Sequence, residues 1–152
     1  MEASGLRFEP GTIRAAEGAR YVLCPTDDGR DDAYPRLRQA AIVLAARSGA
    51  KLLLADRSVG QAAPAGGVLG RAEVRRLGRA YLAEQIDEAA AAGVEAGAWL
   101  PAEGDAVQRL PVDVIVADRE RGLPSGRAAG RATVVAVAAD LTVRLGPGAA
   151  GA

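Results

Sequence analysis

Apolar residues fall along this chain in short continuous runs separated by stretches of helical period. Tyr21-Val22-Leu23-Cys24 stops at Pro25-Thr26-Asp27-Asp28-Gly29, and Lys51-Leu52-Leu53-Leu54-Ala55 stops at Asp56. Between them Leu37, Ala41 and Leu44 recur at spacings of four and three, one apolar stripe of a helix, while Arg36, Arg38 and Arg47 lie mostly off it. Asp32 suits the amino cap because its carboxylate accepts from orphan backbone N–H groups, Pro35 is tolerated in the first turn, and Gly49 suits the left-handed residue that ends the helix. The pattern predicts a β-α-β unit. Continuous apolar strands joined by a helical crossover suit a parallel sheet covered on both faces, and such sheets bind ligands beyond the carboxyl ends of their strands. The acidic turn at Asp27 lies at that end.

Residues 58–67 have no apolar period and are rich in Gly, Ala and Pro, which reads as a mobile connection. From Arg71 a long helix is predicted, with Val74, Leu77, Tyr81, Leu82 and Ile86 on one face and a stop at Gly93. Val94 to Leu100 reads as a third strand, Val112 to Ala117 as a fourth and Thr133 to Ala138 as a fifth; Leu141 to Leu145 either extends the fifth or folds back as a hairpin. Only Pro101 to Pro111 separates strands three and four, and only Arg119 to Ala132 separates four and five. The third crossover is therefore short of the dozen or more residues usual for a parallel connection, and the fourth helix is expected to be largely deleted. Residues 1–19 read as a flexible extension, 20–146 as one domain and 147–152 as a disordered tail.

A chain of 152 residues suits one domain with a real core. The formal net charge is zero, which argues against a nucleic-acid binder. No apolar run approaches the roughly 20 residues needed to span a bilayer, and the amino terminus has no basic segment followed by an apolar one, so a cytoplasmic location is expected. Cys24 is the single cysteine and there is no His. Those two counts exclude an intrachain disulfide, a Ser-His-Asp triad and a His-ligated zinc site. Cys24 itself reads as a small core hydrophobe without an activating base. No catalytic residue and no metal site is assigned.

The first strand ending in Cys24-Pro25-Thr26-Asp27, the helix closing on Ser48-Gly49-Ala50-Lys51, the helix ending Ala92-Gly93-Val94, the Glu103-Gly104-Asp105 turn and the strand Val112-Asp113-Val114-Ile115-Val116 together resemble the universal stress protein family, over about Arg20 to Leu145. The resemblance implies an α/β fold with a single doubly wound, five-stranded, mostly parallel sheet of Rossmann-like order, a homodimer, and ATP held at the carboxyl ends of the strands in the nucleotide-binding members. Those members carry Gly-x-x-Gly and, nine residues on, Gly-Ser or Gly-Thr after strand four, because backbone N–H groups must approach the phosphates without a Cβ in the way. Here Asp118 falls at the first of those glycines, Arg121 or Gly122 near the second, and the Gly-Ser or Gly-Thr element is missing.

The ligand-binding candidates are Thr26, Asp27, Asp56, Asp118, Gly122, Gly126 and Arg127. Asp27 matches the acidic residue that contacts nucleotide in the family. Asp27, Asp28, Asp56 and Asp118 all end predicted strands, where they suit either Mg²⁺ or turn formation. Arg119, Arg121, Arg127 and Arg131, with interspersed glycines, suit either an anion site or a solvated loop. The expected function is a regulatory or scaffold homodimer, associated through strand five, that has lost ATP binding and needs no cofactor. The alternative is a nucleotide-binding protein, taking ATP with Mg²⁺ or AMP, with weak or no hydrolysis.

Overall fold

The computed structural model describes residues 5–27, 33–56, 68–99, 112–121 and 132–146. Tyr21–Thr26 (β2) and Lys51–Asp56 (β3) run parallel in full register, from Tyr21 opposite Lys51 to Thr26 opposite Asp56. The helix Ala33–Ser48 (α2) joins them and buries Leu37, Ala40, Ala41, Leu44 and Ala45, a stripe of helical period, against Val22, Cys24, Leu52 and Leu54 of the two strands. This is the β-α-β unit that the apolar pattern predicts.

The next crossover differs from expectation. Val68–Leu69 (β4) precedes two helices, Arg71–Arg76 (α3) and Ala80–Ala91 (α4), before Ala96–Trp99 (β5). The single long helix breaks because Gly78 takes φ +76°, the left-handed region open to glycine. The break is a Schellman ending: the Arg79 N–H reaches the Val74 carbonyl at 2.8 Å and the Gly78 N–H reaches that of Arg75 at 3.0 Å. Leu77, expected on the packed face, is turned out at the break and is 49% exposed. β4 pairs antiparallel with β5, and a Cβ at Gly97 would come within 2.5 Å of the Val68 side chain, so this close approach needs a glycine.

Val114–Asp118 (β6) leads through a 3₁₀ turn at Arg119–Arg121 towards Thr133–Val137 (β7), and Thr142–Leu145 (β8) folds back antiparallel on β7. The open choice for residues 141–145 therefore resolves as a hairpin. Asp140 Oδ1 accepts from the Thr142 N–H at 3.0 Å, and the turn places Leu141 at φ 72°. Arg7–Phe8 (β1) adds to the far side of β8 in parallel, and Thr12–Ala15 (α1) follows it. Residues 5–19, expected within a flexible extension, thus carry a strand and a helix, and Thr12, Ala16 and Ala19 are buried. Their anchors are backbone pairing with β8 and the packing of Leu6, Phe8 and Ile13 on the core.

The sheet among the described residues has eight strands in the order β1-β8-β7-β6-β2-β3-β5-β4, parallel except at the two antiparallel pairs β4–β5 and β7–β8. The five expected strands are all present, as β2, β3, β5, β6 and β7. The expected edge position of Thr133–Val137 is not observed, because β7 is hydrogen-bonded to β6 on one side and β8 on the other. α2 and α4 pack on the face bearing Val22, Leu54, Val116 and Val135. The opposite face carries a second apolar cluster of Leu23, Leu53, Trp99 and Ile115, with no described helix on it. The shortened third and fourth helices, the mobile connection at 58–67 and the tail at 147–152 fall largely or wholly outside the described residues. No helix among those described is long and apolar enough to cross a membrane.

Two measurements test this arrangement. Leu37→Ala, Leu44→Ala and Leu82→Ala, each at a fully buried position, should each lose about 2 to 5 kcal/mol in chemical denaturation. Leu77→Ala should cost under about 1 kcal/mol, and an equal loss there would restore the unbroken helix. Separately, the Arg20 side-chain hydrogen bond holds the Asp113 carboxyl below its ordinary 3.8, against the opposing effect of partial burial. A carboxylate with a depressed folded-state pKa stabilises above its unfolded value and loses that contribution as pH falls through the folded one. Asp113→Asn should therefore flatten the acid limb of the stability curve below about pH 4, leaving its shape at neutral pH unchanged.

Candidate functional site

The strand order reverses between β2 and β6: from β2 the chain proceeds through β3 and β5 in one direction, then returns to β6 and β7 in the other. A crevice beyond the carboxyl ends of two such strands is where open α/β sheets bind ligands. Here the ladder between the two strands ends early. The Asp113 N–H donates to the Tyr21 carbonyl at 3.1 Å, so by strand alternation Tyr21, Leu23 and Pro25 direct their backbone groups towards β6. Pro25 has no N–H to give. The β2–β6 partners stop at Leu23 with Ile115, although β2 continues to Thr26 and β6 to Asp118.

Asp118 closes the β6 side of this crevice. It is 6% exposed, its Oδ2 lies 3.5 Å from Arg36 Nη2 of α2, and its Oδ1 accepts from the Glu120 N–H at 3.1 Å. The carboxylate is thus spent on an ion pair and on the first bond of the 3₁₀ turn, which suits a buried charge that must be paired and hydrogen-bonded. Glu120 in turn accepts from the Ala139 N–H at 3.1 Å and ties the turn to the β7–β8 hairpin.

On the β2 side a polar chain runs through buried Thr26. Its hydroxyl accepts from Arg38 Nη1 at 3.4 Å and donates to Gln85 Oε1 at 2.8 Å, while Gln85 Nε2 donates to the Asp27 carbonyl at 3.1 Å. Arg38 Nε also donates to Glu88 at 3.0 Å. Strand β2, α2 and α4 are joined here by one set of satisfied bonds, and the backbone of Asp27 is held at the mouth of the crevice. Gln85, Arg38 and Glu88 escape the candidate set read from sequence. Gln85 did leave a signal, since it stands three residues after Leu82 on the buried side of α4, where an apolar residue is the rule.

Of the candidates, Thr26, Asp27 and Asp118 come together at the switch point, and Asp56 ends β3 opposite Thr26. Gly122, Gly126 and Arg127 lie outside the described residues. Among those described, no group of three or more metal-ligating side chains forms, so the carboxylate cluster that would suit Mg²⁺ is not assembled there. Burial pushes the Cys24 thiol up to about 12, which removes it as a nucleophile. An open groove of about 680 Å³ lies at the other end of the strands, lined by Arg20, Gly49, Lys51, Gly93 and Glu95 among others. Its two cations are already paired, Arg20 with Asp113 at 3.1 Å and Lys51 with Glu95 at 3.3 Å, and topology favours the opposite end.

No protein-family model matches the chain, and no curated protein matches it. Among solved structures, it is similar to a universal stress protein crystallised in complex with cAMP, with 20% sequence identity and a TM-score of 0.49 over 80% of this chain and 97% of that one.

Proposed function

We propose that this chain is a regulatory or scaffold domain of the universal stress protein type that does not take ATP in the manner of the family's nucleotide-binding members. The supporting observation is Asp118. It stands at the carboxyl end of β6, at the position where the resemblance puts the first glycine of the phosphate loop, and it is buried and ion-paired with Arg36. A Cβ occupies the place where backbone must approach phosphate, and a carboxylate in a low-dielectric crevice repels an incoming polyanion. Arg36 Nη2 lies 3.5 Å from that carboxylate and pairs with it.

The second reading, an adenine-nucleotide binder with weak or no hydrolysis, draws on Asp27. Its carbonyl is fixed by Gln85 at the crevice mouth, so a ligand contacting Asp27 would meet a pre-positioned backbone.

Calorimetric titration with ATP and Mg²⁺ separates the two. The expected result is no binding tighter than about millimolar, equivalent to about 4 kcal/mol. Asp118→Gly, which removes both the Cβ and the opposing charge, should raise the affinity by about tenfold or more, or about 1.4 kcal/mol. Micromolar affinity in the wild type, lost in Asp27→Ala, or adenine nucleotide retained through purification and detected by mass spectrometry, would establish the second reading.

A further inference from the structure

Arg7, Arg20, Arg36, Arg38, Lys51 and Arg71 each pair with a carboxylate. Arg75 and Arg76, consecutive in the last turn of α3, are exposed and have no carboxylate partner among the described residues. Residues 70–79 carry Arg71, Arg75, Arg76 and Arg79 against Glu73 alone, in a chain whose formal net charge is zero. Glu73 reaches back to the start of the helix, where its Oε1 accepts from the Gly70 N–H at 2.9 Å. Arg71 and Arg75 stand four residues apart on one ridge, a like-charge spacing that weakens a helix. Asp87 relieves Arg71 at 2.8 Å and leaves Arg75 as it is.

Leu77 follows at once and is the most exposed large apolar residue described. Val74 is buried, so at about 100° per residue Arg75, Arg76 and Leu77 fan around the free side of the helix end. The carbonyl end of a helix ordinarily repels acidic groups. Here the Glu73, Val74 and Arg75 carbonyls already accept from the Leu77, Arg79 and Gly78 N–H groups.

We propose that the end of α3, Arg75-Arg76-Leu77, is a docking surface for a short acidic segment of a partner protein, one with an apolar residue set between carboxylates. Guanidinium forks match carboxylates in bidentate fashion, and Leu77 loses its exposed area against an apolar side chain. A lipid surface fits poorly, because α3 has six residues and turns Val74 into the core, which leaves Leu77 alone to insert. An extended nucleic acid would meet the exposed carboxylates of Glu84, Asp87 and Glu88 on neighbouring α4. The inference names a partner class for the scaffold reading and rests on it, while the peptide titration below and the ATP titration can fail separately.

The test titrates the full chain with a fluorescein-labelled Glu-Asp-Glu-Leu-Glu-Asp-Glu peptide, read by fluorescence anisotropy. Saturable binding tighter than about millimolar is expected, weakening as salt rises from about 50 to about 500 mM. Arg75→Gln with Arg76→Gln should weaken it about fivefold. Arg14→Gln with Arg47→Gln, which removes two other exposed arginines without a carboxylate partner among the described residues, should leave it unchanged. Leu77→Ala keeps both charges and decides independently: it should cost about threefold with this peptide and nothing with a peptide carrying Ala in place of its Leu. The proposal is overturned by an absence of saturable binding, by an equal loss in the Arg14 and Arg47 variant, by an equal Leu77→Ala effect on both peptides, or by tighter binding to phosphatidylserine vesicles than to the peptide.

Discussion

Each strand in this fold must satisfy backbone donors and acceptors on two sides, and how each side is satisfied fixes the rest of the architecture. β2 meets β3 along its whole length but meets β6 only at its start. The missing N–H of Pro25 falls on the β6 side, so the ladder gives way at the place where the strand order reverses. The short β2–β6 ladder coincides with that missing donor. At the two outer limits of the described sheet the same requirement is met by two-residue strands, β1 over β8 and β4 over β5, so among the described residues neither limit is a long flat edge.

Two arginine–aspartate pairs then hold the opened seam. At the amino end, Arg20 gives its backbone N–H and two guanidinium nitrogens to Asp113, in water. At the carboxyl end, Arg36 of α2 meets Asp118 with little exposure of either side chain. The first pair sets where β6 begins beside β2, and the second fixes α2 over the end of β6. The Thr26 and Gln85 bonds then attach α4 to the same corner. This corner is accordingly cross-linked by polar bonds from α2, α4 and β2, and its buried carboxylate is ion-paired.

The apolar runs Tyr21 to Cys24 and Lys51 to Ala55 and the stripe at Leu37, Ala41 and Leu44 made the central β-α-β unit legible, because burial on both faces leaves a direct mark on residue type. Asp27 and Asp118 were legible as strand ends for the same reason. What the pattern could not carry was pairing through main-chain atoms. The alternation Leu6-Arg7-Phe8-Glu9 is too brief to announce a strand, and its place beside β8 depends on N–H groups that every residue but proline has. Gly78 was visible as a weak point in a helical period, yet whether a helix absorbs a glycine or breaks there is decided by the packing around it. Gln85 was polar on an apolar stripe, and only the fold supplied its partners, Thr26 and the Asp27 carbonyl.

Trp99 is the single tryptophan of the chain, and it lies 1% exposed in the cluster with Leu23, Leu53 and Ile115, with no hydrogen-bond partner for its indole nitrogen among the described residues. The face that packs against α2 and α4 has no such chromophore. Intrinsic fluorescence excited selectively at the indole therefore reads one side of the sheet alone, and a dry, unbonded indole emits towards the blue until that side is wetted. Followed beside far-UV ellipticity, to which the described helices of the other side contribute, it gives an optical means of asking whether the two halves of the core come apart together or in sequence.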